Sequence, residues 1–330
     1  MEFSIVIPVY NAGRYLYECF NSIKNQEYID FEVIIIDDGS TDESGSICDD
    51  LVIEDKRFRV IHKKNEGLIS ARRRGLKEVS GEYVLFCDSD DLLQKNTLSV
   101  LHDIIQTSRA DVISFNATVF DENNKKSFSD AIFDEGIVNK LDYINQMFCS
   151  YTLNSMCMKA MKRTAIDISR DYKEFYKCNF GEDLLQSVPI ILNAKSIYYT
   201  SESLYLYRTN SGMMRKYSSN YYWSYKRVNS EILVQLENAN ISDAKKKVAS
   251  HLLQSTYGAV IQAQFAIEFP RDDWKAIRKD DSFLNAYKIY KKSKSEIIMN
   301  RKEQIVLFAF KHNITFPIYC ILKTRNRLKR

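Results

Sequence analysis

Three carboxylates, Asp88, Asp90 and Asp91, lie within four positions directly after an apolar run at 83–87. Unpaired carboxylates this close repel one another strongly, and a divalent cation relieves that repulsion. Mg²⁺ and similar ions are usually bound through one or two carboxylates while they bridge the phosphates of a substrate. The segment therefore predicts a metal–diphosphate site, with Mn²⁺ or Mg²⁺ as the cofactor. For Asp91 alone, the other interpretation is a cap for a helix that begins near Leu92.

Polar residues follow two further apolar runs in the same way. Tyr10 and Asn11 come after the first run of the chain, and the cluster Asp-Asp-Gly-Ser at 37–40 comes after the second. Taken singly, such clusters are most often turns or helix caps. If the runs are parallel strands, however, their carboxyl ends share the edge of the sheet at which ligands bind. Three polar clusters at that edge favour a binding site.

These clusters need a sheet to bring them together, and the apolar runs supply its strands. Five runs are short, nearly continuous and rich in β-branched residues, at 3–9, 31–36, 58–61, 83–86 and 112–115. Continuous apolarity predicts strands that are covered on both faces, as in parallel sheets. Helical patterns separate the runs, so the predicted fold class is α/β, a doubly wound and mostly parallel sheet with right-handed crossovers.

The helices between these strands have candidate caps and stops. Asn11 is the predicted cap of the first helix, and Thr41 is the predicted cap of the second. A third helix is predicted at 70–79, with Gly81 as its C-terminal stop.

The phosphate-binding loops of two common nucleotide-binding folds are absent from the sequence. It contains neither GxGxxG nor GxxxxGK followed by Ser or Thr, which excludes a dinucleotide fingerprint and a P-loop. Phosphate must then be held by a metal and by side chains such as Arg72. A nucleotidyltransferase on a similar sheet is a second interpretation. Such enzymes usually have a Gly-rich basic loop after the first strand, whereas residues 10–15 contain only Gly13 and Arg14.

Four blocks of sequence, in order within the first 91 residues, resemble the glycosyltransferase family 2 enzymes, which have the GT-A fold. The blocks are residues 4–11, 33–42, 65–72 and 81–91. A lone DxD triplet often arises by chance, whereas four ordered blocks are specific. The resemblance implies a hexosyl- or N-acetylhexosaminyltransferase that uses a nucleotide-sugar donor, with a UDP-sugar favoured. A protein that binds the nucleotide-sugar without turnover is the alternative.

The resemblance also implies roles for individual residues of these blocks. The implied nucleotide-binding residues are Pro8, Val9, Tyr10, Asp38, Asn65, Gly67, Arg72 and Asp88. Asp90 is the implied direct metal ligand, with Asp88 nearer to the ribose and second as a metal ligand.

Residues 180–185 resemble the ED motif of the family, in which the aspartate is the general base. That aspartate is Asp183 here, and Glu182 is the alternative base. Taken alone, Asp183 is better interpreted as a helix N-cap, because Leu184, Leu185 and Val188 follow at helical spacing. In the family context, we expect Asp183 to take the proton of the acceptor hydroxyl as that oxygen attacks the anomeric carbon. Such a single displacement inverts the anomeric configuration.

Two later segments resemble the family less specifically. Arg208 and Arg215, in and after the segment 205–212, are possible diphosphate contacts, and the alternative is that they are surface arginines near a turn. Residues 156–166 resemble the segment before the acceptor region, and the alternative there is an amphipathic helix.

The motifs divide the chain into a GT-A catalytic domain at 1–217 and a C-terminal helical region at 218–330. The catalytic domain has a nucleotide-binding half at 1–110 and an acceptor half at 111–217. The charge is also divided, although the formal net charge of the whole chain is only +4. Residues 286–330 hold 12 Lys and Arg against 2 Glu, a net of +10, whereas the rest holds 35 against 41, a net of −6.

The basic end of the chain also contains apolar residues. Two apolar stretches at 305–310 and 314–322 are separated by Lys, His and Asn, and Pro317 argues against one uninterrupted helix. Apolar residues beside clustered cations are typical of a segment that lies on an anionic membrane surface. The alternative is a last helix packed in the core, followed by a solvated basic tail.

The remaining features bear on the compartment and the partners. The N-terminus lacks the pattern of a signal peptide, and no run of about 18 apolar residues predicts a membrane span. Seven scattered cysteines without CxxC predict reduced thiols. We therefore expect a cytoplasmic protein, peripheral on the inner face of the cell membrane. The family resemblance implies that it extends a glycan or lipid-linked glycan acceptor in surface polysaccharide synthesis. The basic end has no nucleic-acid-binding motif, so nucleic acid is not an expected partner.

Overall fold

The structure is a computed structural model that describes residues 1–121, 125–127, 131–209, 216–294 and 299–327. The chain divides into two compact units, Met1–Ser211 and Gly212–Arg330. The described strands all belong to the first unit, and the described elements of the second unit are helices. The sequence-based boundary at 217 falls a little later, and the division of the first unit into two functional halves stays a prediction.

The strands are formed by the predicted apolar runs and by shorter segments. In chain order they are β1 (Phe3–Val9), β2 (Phe31–Asp37), β3 (Phe58–His62), β4 (Tyr83–Phe86), β5 (Leu92–Leu93), β6 (Val112–Phe120), β7 (Lys125–Ser127), β8 (Gly136–Val138), β9 (Lys159–Lys162) and β10 (Ile197–Arg208). Every residue of β1, β2 and β4 is buried, which explains why these runs are apolar without alternation. The five predicted strands are therefore confirmed.

Helices connect the strands of the first unit. They are α1 (Gly13–Lys24), α2 (Ser44–Glu54), α3 (Leu68–Leu76), α4 (Thr97–Ser108), α5 (Lys140–Met147), α6 (Tyr151–Asn154) and α7 (Glu182–Asn193). In α1 the buried side chains include Leu16, Cys19, Phe20 and Ile23, which recur at the spacing of one helical face.

The strands form one mixed sheet in the order β3-β2-β1-β4-β9-β6-β10-β5, with β7 beside β6 and β8 beside β10. Strands β3, β2, β1 and β4 are parallel neighbours. Strand β9 is inserted antiparallel between β4 and β6, and β10 runs parallel to β6. The predicted doubly wound, mostly parallel sheet is confirmed. Because β1, β2 and β4 are parallel, the polar clusters that follow them share one edge.

The first two helices begin later than the sequence predicted. Helix α1 begins at Gly13, with Ala12 at the N-cap position. The Asn11 side chain does not cap it, because its oxygen instead accepts a hydrogen bond of 2.8 Å from the backbone N–H of Thr41. Helix α2 begins at Ser44, so the prediction of Thr41 as its cap is also wrong. These two residues link the loops that follow β1 and β2.

The third helix also differs from its prediction. Helix α3 ends at Leu76 with Lys77 at the C-cap, so Gly81 is not its stop. Gly81 instead packs against β1, where a Cβ atom would lie 2.7 Å from the backbone of Phe3 and Ser4. Only glycine allows this close approach of two backbones.

The second unit contains the helices α8 (Tyr221–Asn238), α9 (Ala244–Gln262), α10 (Arg271–Lys279), α11 (Asp281–Lys292), α12 (Arg301–Lys311) and α13 (Phe316–Arg327). Ring contacts join Phe310 of α12 to Trp274 and Phe283 in its core. Helices α12 and α13 are separate, with Asn313 at a φ of 62° between them, so the predicted interruption is confirmed. None of the helices described in the chain is both long enough and apolar enough to cross a bilayer.

Candidate active site

The turn after β4 is fixed by the most buried of its three carboxylates. Asp91 is 2% exposed. Its carboxylate accepts hydrogen bonds from the Tyr205 hydroxyl (2.8 Å) and from the Arg208 backbone N–H (2.7 Å). Burial raises the pKa of Asp91 well above its usual range, and the neighbouring carboxylates add to the shift. The interpretation of Asp91 as a helix cap is wrong, because β5 follows directly and α4 begins only at Thr97.

Asp88 and Asp90 belong to the same turn but reach solvent. Both are half-buried, and the Asp88 side chain is 33% exposed. Within the described ranges, no three His, Cys, Asp or Glu side chains gather closely enough to hold a metal by themselves. Two carboxylates nevertheless suit Mn²⁺ or Mg²⁺, because such ions take oxygen donors and complete their shell with phosphate and water. The donor set therefore fits an ion that is shared with a diphosphate.

Arg72, on α3, joins this turn to α7. Its guanidinium donates hydrogen bonds to Asp88 (3.0 Å) and to Asp183 (2.5 Å), and its side chain is 1% exposed. Burial alone would lower the pKa of Arg72, but the charges of Asp183 and Asp88 outweigh burial and raise that pKa. One buried cation therefore holds a DxD carboxylate and the candidate base together. The sequence placed Arg72 in the nucleotide pocket and did not indicate this pairing.

Asp183 lies in the first turn of α7, one residue after the helix begins. The N-cap position belongs to Gly181, whose φ of 82° is in the left-handed region that favours glycine. The interpretation of Asp183 as the N-cap is therefore wrong. The Asp183 side chain is 24% exposed, so a substrate hydroxyl can reach it. An acidic group in a first turn is also stabilised by the helix dipole.

Glu182, the alternative base, differs from Asp183 in its surroundings. Burial raises the pKa of Glu182 to about 7, and the charge of Asp183 acts in the same direction. At neutral pH only the ionised fraction of Glu182 can therefore accept a proton. Asp183 differs in that Arg72 links it to Asp88, so Asp183 lies beside the turn at 88–91.

The segment that precedes α7 also brings a buried lysine into the sheet. Lys159 in β9 is 0% exposed, and its Nζ donates to the Ser155 carbonyl. Residues 156–166 contain this strand and a short 3-10 turn, Arg163–Ala165, so the interpretation as an amphipathic helix is wrong. Burial lowers the pKa of Lys159 to about 7, although the charge of Asp183 acts in the opposite direction.

The buried lysine predicts a pH dependence of stability. Its pKa is about 7 in the folded chain, against the ordinary lysine value of 10.5. The unfolded chain therefore binds more protons than the folded chain between these two pH values. Stability must then rise with pH across this window, at up to about 1.4 kcal/mol per pH unit for one proton. We expect the free energy of unfolding of the wild type to rise relative to Lys159→Met between about pH 7 and about pH 9, in urea titrations. A constant difference between the two proteins would contradict the lowered pKa.

Asp38 organises the loop that precedes α3. Its buried carboxylate accepts hydrogen bonds from the backbone N–H groups of Gly67 (2.8 Å) and Glu66 (3.2 Å), and it pairs with Lys63 at 2.5 Å. Gly67 has a φ of 97°, and a Cβ atom there would lie 2.2 Å from the Tyr176 carbonyl oxygen. Only glycine fits at this position. Asp38 and Gly67 therefore shape the predicted nucleotide pocket through the backbone of this loop.

The other predicted nucleotide-binding residues differ in exposure. Tyr10, directly after β1, is 52% exposed, and Asn65 is also exposed. Pro8 and Val9 are buried, and the Val9 side chain belongs to the core. A ligand at this edge can therefore contact the side chains of Tyr10 and Asn65 directly.

Arg208 anchors the end of β10 at the same turn. Its Nε donates to the Asp90 carbonyl (2.8 Å), and its Nη2 donates to the Glu18 carboxylate (2.6 Å). The guanidinium lies 4.5 Å from the ring centroid of Phe120, and its side chain is 8% exposed. The interpretation of Arg208 as a surface arginine is wrong. Arg215, the other predicted diphosphate contact, lies outside the described residues.

Two partners of this site were not predicted. The Tyr205 hydroxyl accepts a hydrogen bond of 3.1 Å from the Asp88 backbone N–H while it donates to Asp91. A tyrosine in an apolar strand is a weak signal, because a buried hydroxyl needs a partner that the sequence does not identify. Glu18 lies on the polar side of α1, where nothing in the sequence distinguishes it from a solvated glutamate.

Comparison with known proteins gives a family match over the first half of the chain. The model described as "Glycosyl transferase family 2" matches residues 4–168. This span contains the four sequence blocks and the turn at 88–91. Asp183 and Arg208 lie beyond it.

Two proteins of Streptococcus pneumoniae serotype 4 are similar in sequence. Glycosyltransferase GlyG is 31% identical over 227 residues, which are 67% of this chain and 75% of GlyG. Glycosyltransferase GlyA is 31% identical over 223 residues, which are 65% of this chain but 32% of GlyA.

Crystal structures of S. aureus TarS, residues 1–349, are similar in fold. The complex of TarS with UDP has a TM-score of 0.67 at 20% identity, and the match covers 100% of this chain and 92% of that chain. The complex of TarS with UDP-GlcNAc has a TM-score of 0.67 at 21% identity, with coverage of 100% and 93%.

Proposed function

This chain belongs to glycosyltransferase family 2, and on that premise we propose that it transfers a sugar from a UDP-sugar to an acceptor hydroxyl with inversion. The observation that carries the proposal is the double pairing of Arg72 with Asp88 and Asp183. It supports the proposal because the proposed base then lies beside the carboxylates that suit a metal and a diphosphate. A base and a leaving group must both be close to the anomeric carbon for a single displacement.

The choice of UDP as the nucleotide rests on the likeness to TarS, which binds UDP and UDP-GlcNAc in structures of the same fold. In this chain the edge of the sheet that follows β1 and β2 has an exposed aromatic ring at Tyr10 and the loop held by Asp38. An aromatic ring beside backbone and carboxylate acceptors suits recognition of a nucleobase by stacking and hydrogen bonding.

In the proposed reaction, Asp183 accepts the proton of the acceptor hydroxyl while the hydroxyl oxygen forms the bond to the anomeric carbon. The bond from that carbon to the diphosphate oxygen breaks on the opposite face, so an α-linked donor yields a β-linked product. Arg72 keeps the Asp183 carboxylate in place. Arg208, held at the turn by the Asp90 carbonyl, and Arg215 are the proposed diphosphate contacts.

Asp90, with Asp88 as a second donor, is the proposed holder of Mn²⁺ or Mg²⁺. When bound, the ion would supply positive charge for the leaving diphosphate. We expect Asp90→Asn to weaken the binding of UDP in the presence of Mn²⁺ by at least about tenfold, the loss seen even for residues that only support a metal ligand.

Calorimetric titration with UDP, with and without Mn²⁺, tests this assignment. The matched control is Asp103→Asn, an exposed aspartate on α4, which we expect to bind UDP like the wild type. The expected result is that Mn²⁺ strengthens binding to the wild type and to the control but not to Asp90→Asn. Equal enhancement in all three proteins would contradict the assignment of Asp90. Tighter binding of another nucleoside diphosphate than of UDP would contradict the choice of donor.

We further propose that the acceptor is a lipid-linked glycan in surface polysaccharide synthesis, and that the protein is cytoplasmic and peripheral on the inner face of the membrane. Apolar side chains on the last two helices support this proposal. Phe308 is 53% exposed, Phe316 is 58% exposed and Ile321 is 56% exposed. They belong to a segment with a net charge of +10, and the combination is typical of binding to an anionic membrane surface.

A further inference from the structure

A cavity of about 440 Å³ lies along α11 and α12, entirely within the second unit. It is lined from α11 and its end by Tyr287, Tyr290, Lys291 and Lys294, and from α12 by Arg301, Gln304, Ile305 and Phe308. The lining combines three cations with two tyrosines and two apolar side chains. No residue that the sequence analysis singled out for catalysis belongs to it.

The charge of the cavity points to an anionic ligand. Lys291, Lys294 and Arg301 are all exposed, and the lining residues that the structure describes include no carboxylate. Glu303, the acidic residue in the first turn of α12, forms a capping box with Asn300. Among the described residues, the three cations form no ion pair. Three neighbouring cations repel one another, and an anion between them relieves that repulsion.

The apolar part of the lining narrows the ligand class. Tyr287 and Tyr290 are 6% and 8% exposed and form an inner wall, whereas Ile305 and Phe308 are 60% and 53% exposed. A small soluble phosphate would gain no binding energy from two large apolar side chains beside its site. A lipid has both parts, because its phosphate can meet the cations while its acyl chains meet the apolar side chains.

The next helix also exposes apolar side chains. Phe316 and Ile321 of α13 are 58% and 56% exposed, and Ile314 before it is 50% exposed. Apolar side chains on two successive helices exceed what one small ligand could cover. This arrangement suits insertion at the boundary between headgroups and acyl chains.

We propose that the cavity along α11 and α12 binds the phosphate headgroup of an anionic glycerophospholipid, with Ile305 and Phe308 at the level of the acyl boundary. This inference deepens the proposed membrane association and rests on it. It adds a discrete headgroup site to the general attraction between a basic segment and an anionic surface.

The test measures co-sedimentation with vesicles of phosphatidylcholine that contain phosphatidylglycerol. A variant with Lys291→Gln, Lys294→Gln and Arg301→Gln removes the cations of the cavity. Its matched control has Arg271→Gln, Lys275→Gln and Lys279→Gln, which removes one arginine and two lysines from exposed positions on α10. We expect the cavity variant to lose about a hundredfold in partition coefficient, from the usual contribution of a cation near an anionic surface, and the control to stay within about twofold.

The other outcomes overturn the proposal. Equal losses in the cavity variant and the α10 control would show general electrostatic attraction without a site. Failure of the wild type to bind phosphatidylglycerol vesicles, with binding of glycerol 3-phosphate to the same cations in calorimetry, would make this a site for a soluble phosphate. A variant with Ile305→Asn and Phe308→Asn should also lose vesicle binding. Unchanged partitioning of this variant would contradict the proposal that the ligand is a lipid.

A readout without lipid separates this inference from the proposed reaction. Release of UDP from a UDP-sugar in solution, without vesicles, should be equal in the wild type and in the cavity variant. Intact release with no vesicle binding would overturn the headgroup site and leave the transfer reaction standing. Vesicle binding without release of UDP would leave the headgroup site standing and contradict the transfer reaction.

Discussion

Replacement of Asp183 by Asn is expected to lower kcat by about 10²- to 10⁴-fold, with little change in the KM for the donor. The amide has nearly the shape of the carboxylate, so α7 and the surrounding turn should remain in place. The amide cannot accept the proton of the acceptor hydroxyl, so the substitution should slow only the chemical step. The measurement is steady-state release of UDP from a donor in the presence of acceptor.

Glu182→Gln is the matched control for this prediction, because it makes the same chemical change at the adjacent position. Glu182 is already partly protonated at neutral pH, since burial raises its pKa to about 7. We expect this variant to keep most of its kcat. A larger loss in Glu182→Gln than in Asp183→Asn would transfer the role of base to Glu182.

Replacement of Arg72 by Met should affect both stability and turnover. The methionine fills much of the buried space but leaves Asp88 and Asp183 without their shared partner. Loss of a buried ion pair partner costs about 3–5 kcal/mol, and the lower end applies here because both carboxylates are partly exposed and can be rehydrated. The base would also lose its fixed position, for which we expect a further fall in kcat of about 10²-fold. Urea unfolding and steady-state kinetics measure the two effects.

Arg74→Met makes the same substitution two residues later on α3 and is the control. The Arg74 side chain is 39% exposed and pairs with Glu78 on the same helix. Exposed pairs of this kind contribute little, so its free energy of unfolding should change by less than about 1 kcal/mol. If Arg72→Met and Arg74→Met were equally stable and equally active, the bridging role of Arg72 would be refuted. Arg72→Lys keeps the charge but cannot donate to both carboxylates in the bidentate geometry of arginine. Its stability and activity should lie between those of Arg72→Met and Arg74→Met.

The sequence predicted the parallel core of the sheet because burial on both faces leaves an unmistakable pattern. Strands β1, β2 and β4 are apolar at nearly every position, and the structure buries each of them. The family inferred from the four blocks is confirmed by the family model. The likeness to TarS confirms the fold class, a GT-A fold followed by a helical region.

The sequence pattern gave wrong predictions for side chains whose partners are distant in the chain. Asn11 and Thr41 have the residue types of helix caps, but they bond to each other across two loops. Asp91 resembles a cap by its position before Leu92, but it is buried against Tyr205 on a strand more than a hundred residues later. Local preference predicts neither partner, because each depends on strands that meet only in the sheet.

The active-site pairing could not be predicted for the same reason. Arg72 and Asp183 are 111 residues apart in the chain, and each was assigned a role from its own motif. The sequence indicated the burial of Lys159 equally weakly, since a lysine at this position fits an amphipathic helix as well as a buried strand. In the structure this lysine lies in the antiparallel strand β9, which pairs with β4 and β6.

The most direct test of the proposed function is a screen of nucleotide-sugars for release of the nucleoside diphosphate by the wild-type protein with Mn²⁺. UDP-, GDP-, dTDP- and ADP-sugars are offered in turn, and Asp183→Asn is measured beside the wild type. We expect release of UDP from at least one UDP-sugar, and a strong loss of that release in Asp183→Asn. Binding of UDP without release from any nucleotide-sugar, with or without a glycan acceptor, would contradict it and indicate a protein that binds the donor without turnover.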